Sequence, residues 1–178
     1  MGNVHELISI RSTTTEDWPM LREFRVENAT EHPISNGATR ETTLGMDEAA
    51  WRMRAARGDH DDAASYVAIE HDTGRWVGMM SCQLGDEHGP EPVLTGVYVT
   101  AEFRRRDLGV ADRLLDQVER WAAGFGPCLR LFVYDGSTPA LRFYSRRGFT
   151  LTGRTAVEQM VMNGLLVEMT LSIGCSPI

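Results

Sequence analysis

Apolar and polar residues alternate along LISIRS, Leu7 to Ser12, a period of two that predicts a short strand. The period then changes. In TTTEDWPMLREFRVENA the Thr and Asp residues are capping candidates, and apolar side chains at Trp18, Leu21, Phe24 and Val26 predict a helix. From Thr30 to Leu44, Gly, Pro, Asn and Thr accumulate without a period, which predicts a long loop; loops of that length are usually functional or disordered. MDEAAWRMRAARG predicts a short helix stopped by Gly58. After the polar turn GDHDDAA, the apolar runs SYVAIEH and WVGMMSCQL are separated by DTGR, the pattern of a hairpin, and EPVLTGVYVT predicts a third adjacent strand.

GVADRLLDQVERWAAG carries the clearest helical stripe: Val110, Ala111, Leu114, Leu115, Val118, Trp121 and Ala122 recur on one face, and Gly124 closes the helix. CLRLFVY predicts a strand. STPALRFYSRRGF predicts a short helix with Ser137 as cap, Pro139 in its first turn and Gly148 at its end. TLTGRT and LLVEMTLSI predict closing strands. No repeat, low-complexity linker or composition break divides the chain, so residues 1–178 are expected to form one domain. Hairpins alternate with helical crossovers. The expected class is therefore α/β in the α+β sense, a mixed and mostly antiparallel sheet of about six or seven strands flanked by about four helices.

Composition narrows the picture. A chain of 178 residues, 42% hydrophobic, can bury one sizeable core. With 18 basic and 25 acidic residues the net charge is −7, which disfavours nucleic acid or an anionic membrane as a general partner, so any basic patch must be local. Cys82, Cys128 and Cys175 are odd in number and far apart, matching neither a zinc site nor a secreted disulfide framework. Reduced thiols in a cytoplasm fit best. MGNVHELISIRS lacks the pattern of a signal peptide, and no stretch approaches the ~20 apolar residues of a membrane span. Gly2 does not begin a myristoylation motif, because Glu6 stands where Ser or Thr is wanted. A cytoplasmic location is expected. The sequence leaves a homodimer open.

The candidate chemistry lies at RRRDLGVADRLL, residues 104–115. A strand, VLTGVYV, leads through arginines into the helix beginning near Gly109. A helix N-terminus offers unpaired amides and the positive end of the dipole, and glycine lets phosphate oxygens approach the backbone. Arg104, Arg105 and Arg106 add charge-assisted donors. The competing reading is a solvated arginine turn. GDHDD matches no calcium loop and is read as a solvated turn, so no metal site is assigned.

GVYVTAEFRRRDLGVADRLLDQVERWA resembles the acetyl-CoA segment of the GNAT superfamily of N-acetyltransferases, a strand followed by Arg/Gln-x-x-Gly-x-Gly/Ala. VYDGSTPALRFYSRRGF resembles its second signature, Asn-x-x-Ala-x-x-x-Tyr-x-x-x-Gly-Phe, in the same order and spacing. The likeness runs from about Tyr66 to Phe149, with looser echoes in EMTL and AAWRMR. Two positions depart from it. Counted back from the helix, the loop motif is Arg106-Asp107-Leu108-Gly109-Val110-Ala111, which lengthens the turn; counted forward from the strand, Asp107 replaces a glycine. The first register keeps the helical stripe in phase. Either way Asp107 brings negative charge toward a pyrophosphate, to be offset by the arginines or turned outward as a cap. Ser137 replaces the family's asparagine.

The resemblance implies direct acetyl transfer from acetyl-CoA to an amine of a small molecule, peptide or protein. It implies that backbone groups of Val97, Tyr98 and Val99 align the pantetheine arm and thioester carbonyl, that the 104–111 loop binds pyrophosphate, that Ser137 and Ala140 adjoin the cofactor, and that Tyr144 protonates the departing thiolate. Ala140 and Tyr144 are four apart and share a helix face. Glu91, just ahead of the third strand, is the base candidate, with Glu31 and His32 as others. Cys82 and Cys128 read as buried hydrophobes. The runner-up is a degenerate acyl-CoA sensor, motivated by Asp107 and Ser137. A nucleotide-binding protein is disfavoured, since neither Gly-x-Gly-x-x-Gly nor a Gly-Lys-Ser/Thr loop is present. Residues 30–44 are the expected acceptor-selecting segment.

Overall fold

The computed structural model describes residues 7–31, 39–158 and 164–174. Seven strands form one sheet: β1 (Ile8–Ser12), β2 (Ala63–Glu70), β3 (Trp76–Asp86), β4 (Gly89–Val99), β5 (Cys128–Tyr134), β6 (Thr150–Glu158) and β7 (Gly164–Ser172), in the order β1-β2-β3-β4-β5-β7-β6. Every neighbouring pair is antiparallel except β4 and β5. Five helices accompany it among the described residues: α1 (Trp18–Glu31), α2 (Arg40–Leu44), α3 (Glu48–Ala55), α4 (Val110–Ala122) and α5 (Thr138–Arg146). The mixed, mostly antiparallel sheet is as expected. No helix among these residues is long and apolar enough to cross a membrane.

Each face of the sheet has its own core. On one face, α4 buries the stripe Val110, Leu114, Leu115, Val118 and Ala122 against Val77, Met80, Leu94, Leu129 and Leu131, joined by Tyr144 and Phe149. Burying each leucine contributes roughly 2–3 kcal/mol, so this stripe alone commits α4 to the sheet. Gly78 sets how close α4 comes: a Cβ there would lie 2.9 Å from Leu114 Cδ1 and 3.0 Å from Val110 Cγ1. On the other face, Leu21 and Phe24 of α1 and Trp51 and Ala55 of α3 cover Val67, Trp76, Met79 and Tyr98.

Several local expectations are corrected. The segment from Thr30 to Leu44 is not one loop: Thr30 and Glu31 end α1, and residues 40–44 form α2, with Thr39 Oγ1 accepting from the Thr42 amide at 3.1 Å. That extra helix raises the count from four to five. Gly58 does not stop α3, which ends at Ala55 and continues into a 3-10 turn, Ala56–Asp59. Gly58 is small because a Cβ there would run into the backbone of Thr13. β4 begins at Gly89, so Glu91 lies inside the strand rather than ahead of it. Ser137 occupies the cap position of α5, but its side chain makes no capping bond.

Two irregularities open the sheet at its middle. β4 and β5 pair only at Val93↔Arg130 and Leu94↔Leu131, and beyond that point they separate. On its other side β4 slips against β3: Met79 faces Tyr98 and Ser81 faces Thr95, so Gly96 and Val97 together oppose Met80. This is a β-bulge, and Gly96 takes it with φ +57°, a conformation that strains other residues.

Candidate functional site

The gap between β4 and β5 is a slot of about 170 Å3. Its walls are Thr95, Gly96 and Val97 of the bulge, Leu131 to Tyr134 of β5, Ser137 at the cap of α5, and Ala140 and Tyr144 within it. Ala140 and Tyr144 face it together, as their spacing implied. The Thr100 amide bonds the Val77 carbonyl at 2.9 Å, and antiparallel pairs alternate, so Val99 falls in a non-hydrogen-bonded pair with Gly78 and presents its N–H and C=O to the open side. The carbonyl there already accepts Arg104 Nε at 2.7 Å.

Tyr144 is buried, with its ring edge-on to Phe143 and Phe149 at centroid distances of 5.2 and 5.4 Å. Burial pushes its phenol above the ordinary tyrosine range, so the hydroxyl stays protonated at neutral pH. The end of α5 is fastened to α4 by Arg147, which reaches Asp112 at 3.1 Å, Asp116 at 2.6 Å and Glu119 at 2.8 Å, and by Arg146, which meets Asp112 at 2.9 Å. These pairs hold Tyr144 in place relative to the start of α4.

That start is the second part of the site. Gly109 caps α4 with φ +60°, and the first bond of the helix runs from the Arg113 amide to the Gly109 carbonyl. The amides of Val110, Ala111 and Asp112 therefore have no partner within the helix. They border a cavity of about 300 Å3 ringed by Arg104, Arg105, Arg106, Arg142 and Arg146. Helix entry at Gly109 agrees with the register counted back from the helix. Leu108 packs partly buried against the core, ending the 3-10 turn Arg106–Leu108. Asp107 is not a helix cap: Arg105 grips it with Nη2 at 2.6 Å and Nε at 3.2 Å. Its charge is offset within the loop itself. Arg142 and Arg146 were missed in the sequence, although their spacing of four from each other put both on one face of α5.

A third cavity, of about 240 Å3, lies on the α1/α3 face and is lined by Leu21, Arg25, Arg54, Arg57, Met79, Ser81, Thr95 and Gly96. It shares Thr95 and Gly96 with the slot, so the two meet at the bulge. Sequence periodicity gave no hint of it, because its arginines come from α1, α3 and the turn that follows.

The remaining candidates fall elsewhere. The side chain of Tyr98 points to the α1/α3 face, where it packs on Phe24 and donates to Glu31 at 2.7 Å, so only its backbone adjoins the slot. Glu91, the base candidate, is engaged in an ion pair. Its carboxylate sits 3.2 Å from Nε of the buried Arg130, which also pairs Asp86 and Glu168, and it lines neither the slot nor the third cavity, a basin beside the bulge. Burial pushes the Cys82 thiol up to about 12, which suits a core residue and not a nucleophile. His32 and Cys175 lie outside the described residues.

The family model described as the acetyltransferase (GNAT) family matches residues 18–149. No curated protein sequence matches the chain. Among solved structures the fold is similar to a ribosomal-protein-alanine N-acetyltransferase from Brucella melitensis, at 21% identity over 93% of this chain and 99% of that one, with a TM-score of 0.75. It is similar to a phosphinothricin acetyltransferase from Sinorhizobium meliloti in complex with acetyl-CoA, at 16% identity over 94% and 89%, TM-score 0.75. It also resembles NAA60 from Arabidopsis thaliana in complex with acetyl-CoA, at 16% identity over 93% and 98%, TM-score 0.68.

Proposed function

The chain belongs to the GNAT acetyltransferase family, and from that premise we propose that it transfers the acetyl group of acetyl-CoA directly to an amine. One observation carries this reading: α5 lines both the slot between the splayed strands, with Ala140 and the buried Tyr144, and the arginine-ringed cavity at the start of α4, with Arg142 and Arg146. Similar structures bind acetyl-CoA, which supports the same co-substrate here.

In this reading the amides of Val110, Ala111 and Asp112, with Arg106 and Arg142, hold the pyrophosphate. The open backbone edge of Val97 and Val99 aligns the pantetheine as an added strand, and the bulge brings a backbone donor toward the thioester oxygen. The amine nitrogen attacks the thioester carbon, the C–N bond forms and the C–S bond breaks. The departing thiolate takes a proton from Tyr144, and the proton given up by the amine nitrogen returns through solvent to the phenol, which ends the cycle neutral. A lysine-like amine near pKa ~10.4 must first lose a proton at roughly 4–5 kcal/mol at neutral pH, whereas an α-amine near ~8 costs about 1 kcal/mol. No acidic residue lines the slot or the basin among the described residues, which favours the second kind of acceptor.

The alternative, a sensor without turnover, was suggested by Asp107 and Ser137; the pairing of Asp107 with Arg105 weakens the first of these motives, and Ser137 lines the slot. The test is release of free thiol from acetyl-CoA across a panel of amines. Turnover on at least one amine class is expected; tight acetyl-CoA binding with no thiol released on any would overturn the reading.

A further inference from the structure

The buried Arg130 and the half-buried Arg147 are neutralised by acids. Arg130 pairs with Asp86 and Glu168, and Arg147 with Asp112, Asp116 and Glu119. The basin beside the bulge is built differently, around the exposed Arg54 and the half-buried Arg25 and Arg57. Arg25, Arg54 and Arg57 converge on it, and none of the described residues lining it is acidic, in a chain with 25 acidic residues. Among the described residues Arg54 makes no ion pair and lies 5.7 Å over the Trp51 ring, while Arg57 reaches only Gln83 Oε1, at 3.4 Å. A Cβ on Gly96 would lie 3.9 Å from Arg25 Nη1, so this charge reaches the bulge itself. Thr95 adds a buried hydroxyl oxygen with no partner among the described residues.

We infer that the acceptor carries its own anionic group, a carboxylate or a phosphorus oxyanion, which Arg25, Arg54 and Arg57 hold in this basin while its amine meets the thioester at Gly96. The inference rests on the acetyl-transfer reading above. Burial, then the like charges of Arg54 and Arg57, pull the Arg25 guanidinium down to about 10, a repulsion that an incoming anion relieves. The same positive field disfavours an ammonium relative to the free amine, so the acceptor is deprotonated without a carboxylate base. A volume of about 240 Å3 suits a molecule of amino-acid size.

The test compares thiol release with amino acids, their carboxamides and the matching aminophosphonates, in the wild type, the double variant R54Q/R57Q and R57K. The anionic forms are expected to exceed the amides by about tenfold or more in kcat/KM, as charge-assisted bonds allow. The double variant should lose that preference through the acceptor KM, with the acetyl-CoA KM unchanged, and R57K should keep most of it. The ratio of acids to phosphonates identifies the oxyanion. In parallel, malonate titrated calorimetrically into the CoA-saturated wild type should bind, and should bind at least tenfold more weakly to the double variant. Amides accepted as readily as acids, or malonate bound equally by both proteins, would overturn the inference. Malonate binding with no thiol release from any amine would instead defeat the transferase reading and leave the anion site standing.

Discussion

The hydroxyl of Tyr98 donates a hydrogen bond to the carboxylate of Glu31 at 2.7 Å, joining the end of β4 to the end of α1. The same carboxylate lies 3.6 Å from Arg104 Nη2, and Arg104 in turn bonds the Val99 carbonyl. The strand that borders the slot is thus tied to the helix that carries Arg25. Because Glu31 remains exposed, Tyr98→Phe should cost only about 0.5–1.5 kcal/mol in urea unfolding. A loss above ~3 kcal/mol would mean that the bond anchors far more than this joint.

Tyr144→Phe keeps the ring that packs between Phe143 and Phe149 and removes only the proton donor. Thiol release should fall by about 10²-fold or more while CoA affinity and melting temperature stay near wild type. Unchanged kcat would remove the acid role from this residue.

Arg106→Glu should weaken CoA binding by about tenfold or more, and more steeply at low salt, whereas Arg120→Glu on the far part of α4 should change it little. Arg130 is unsuited as a control, because replacing it strands Asp86 and Glu168 against a buried like charge. Calorimetric titration of CoA into both variants decides; equal affinities would return the loop arginines to solvent.

Two glycines should respond to alanine in opposite degrees. At Gly109, φ is +60° and a Cβ meets nothing within 4 Å, so the cost is conformational alone, about 1–2 kcal/mol. At Gly58 a Cβ collides with Thr13 backbone, so Gly58→Ala should destabilise by several kcal/mol, roughly the upper range for single substitutions. Denaturant midpoints check the order, and the reverse order would refute it.

Stability should plateau between about pH 5 and 8. On the acid side the guanidinium of Arg11 holds Asp17 below the usual carboxylate range, and Arg146 and Arg147 do the same for Asp112 against the opposing effect of burial. Their folded values lie below the unfolded ones, so their contribution is complete above about pH 4 and is lost as pH falls through it. On the alkaline side burial raises Cys82 to about 12, so its contribution is complete below the unfolded thiol value and lost between about pH 9 and 12. Each such group changes stability by about 1.4 kcal/mol per pH unit within its window. Cys82→Ala should flatten the alkaline limb; an unchanged slope would assign it to the tyrosines instead.

Periodicity alone determined much of this protein. The α4 stripe, the β2–β3 hairpin, the end of α5 near Gly148 and the shared face of Ala140 and Tyr144 were legible, because each depends on residues within a few positions of one another. The resemblance to the family rested on two segments taken together, the loop and helix around Arg106, Gly109 and Ala111 and the later VYDGSTPALRFYSRRGF. Only the tertiary structure decided the rest. Glu91 looked available until β5 supplied Arg130, Gly58 looked like a stop until Thr13 came against it, and Asp107 looked hostile until Arg105 turned onto it. The basin of Arg25, Arg54 and Arg57 had no signal along the chain at all. Its charges are brought together by helices packing on one face of a sheet, and contacts between distant segments leave no period for a sequence to show.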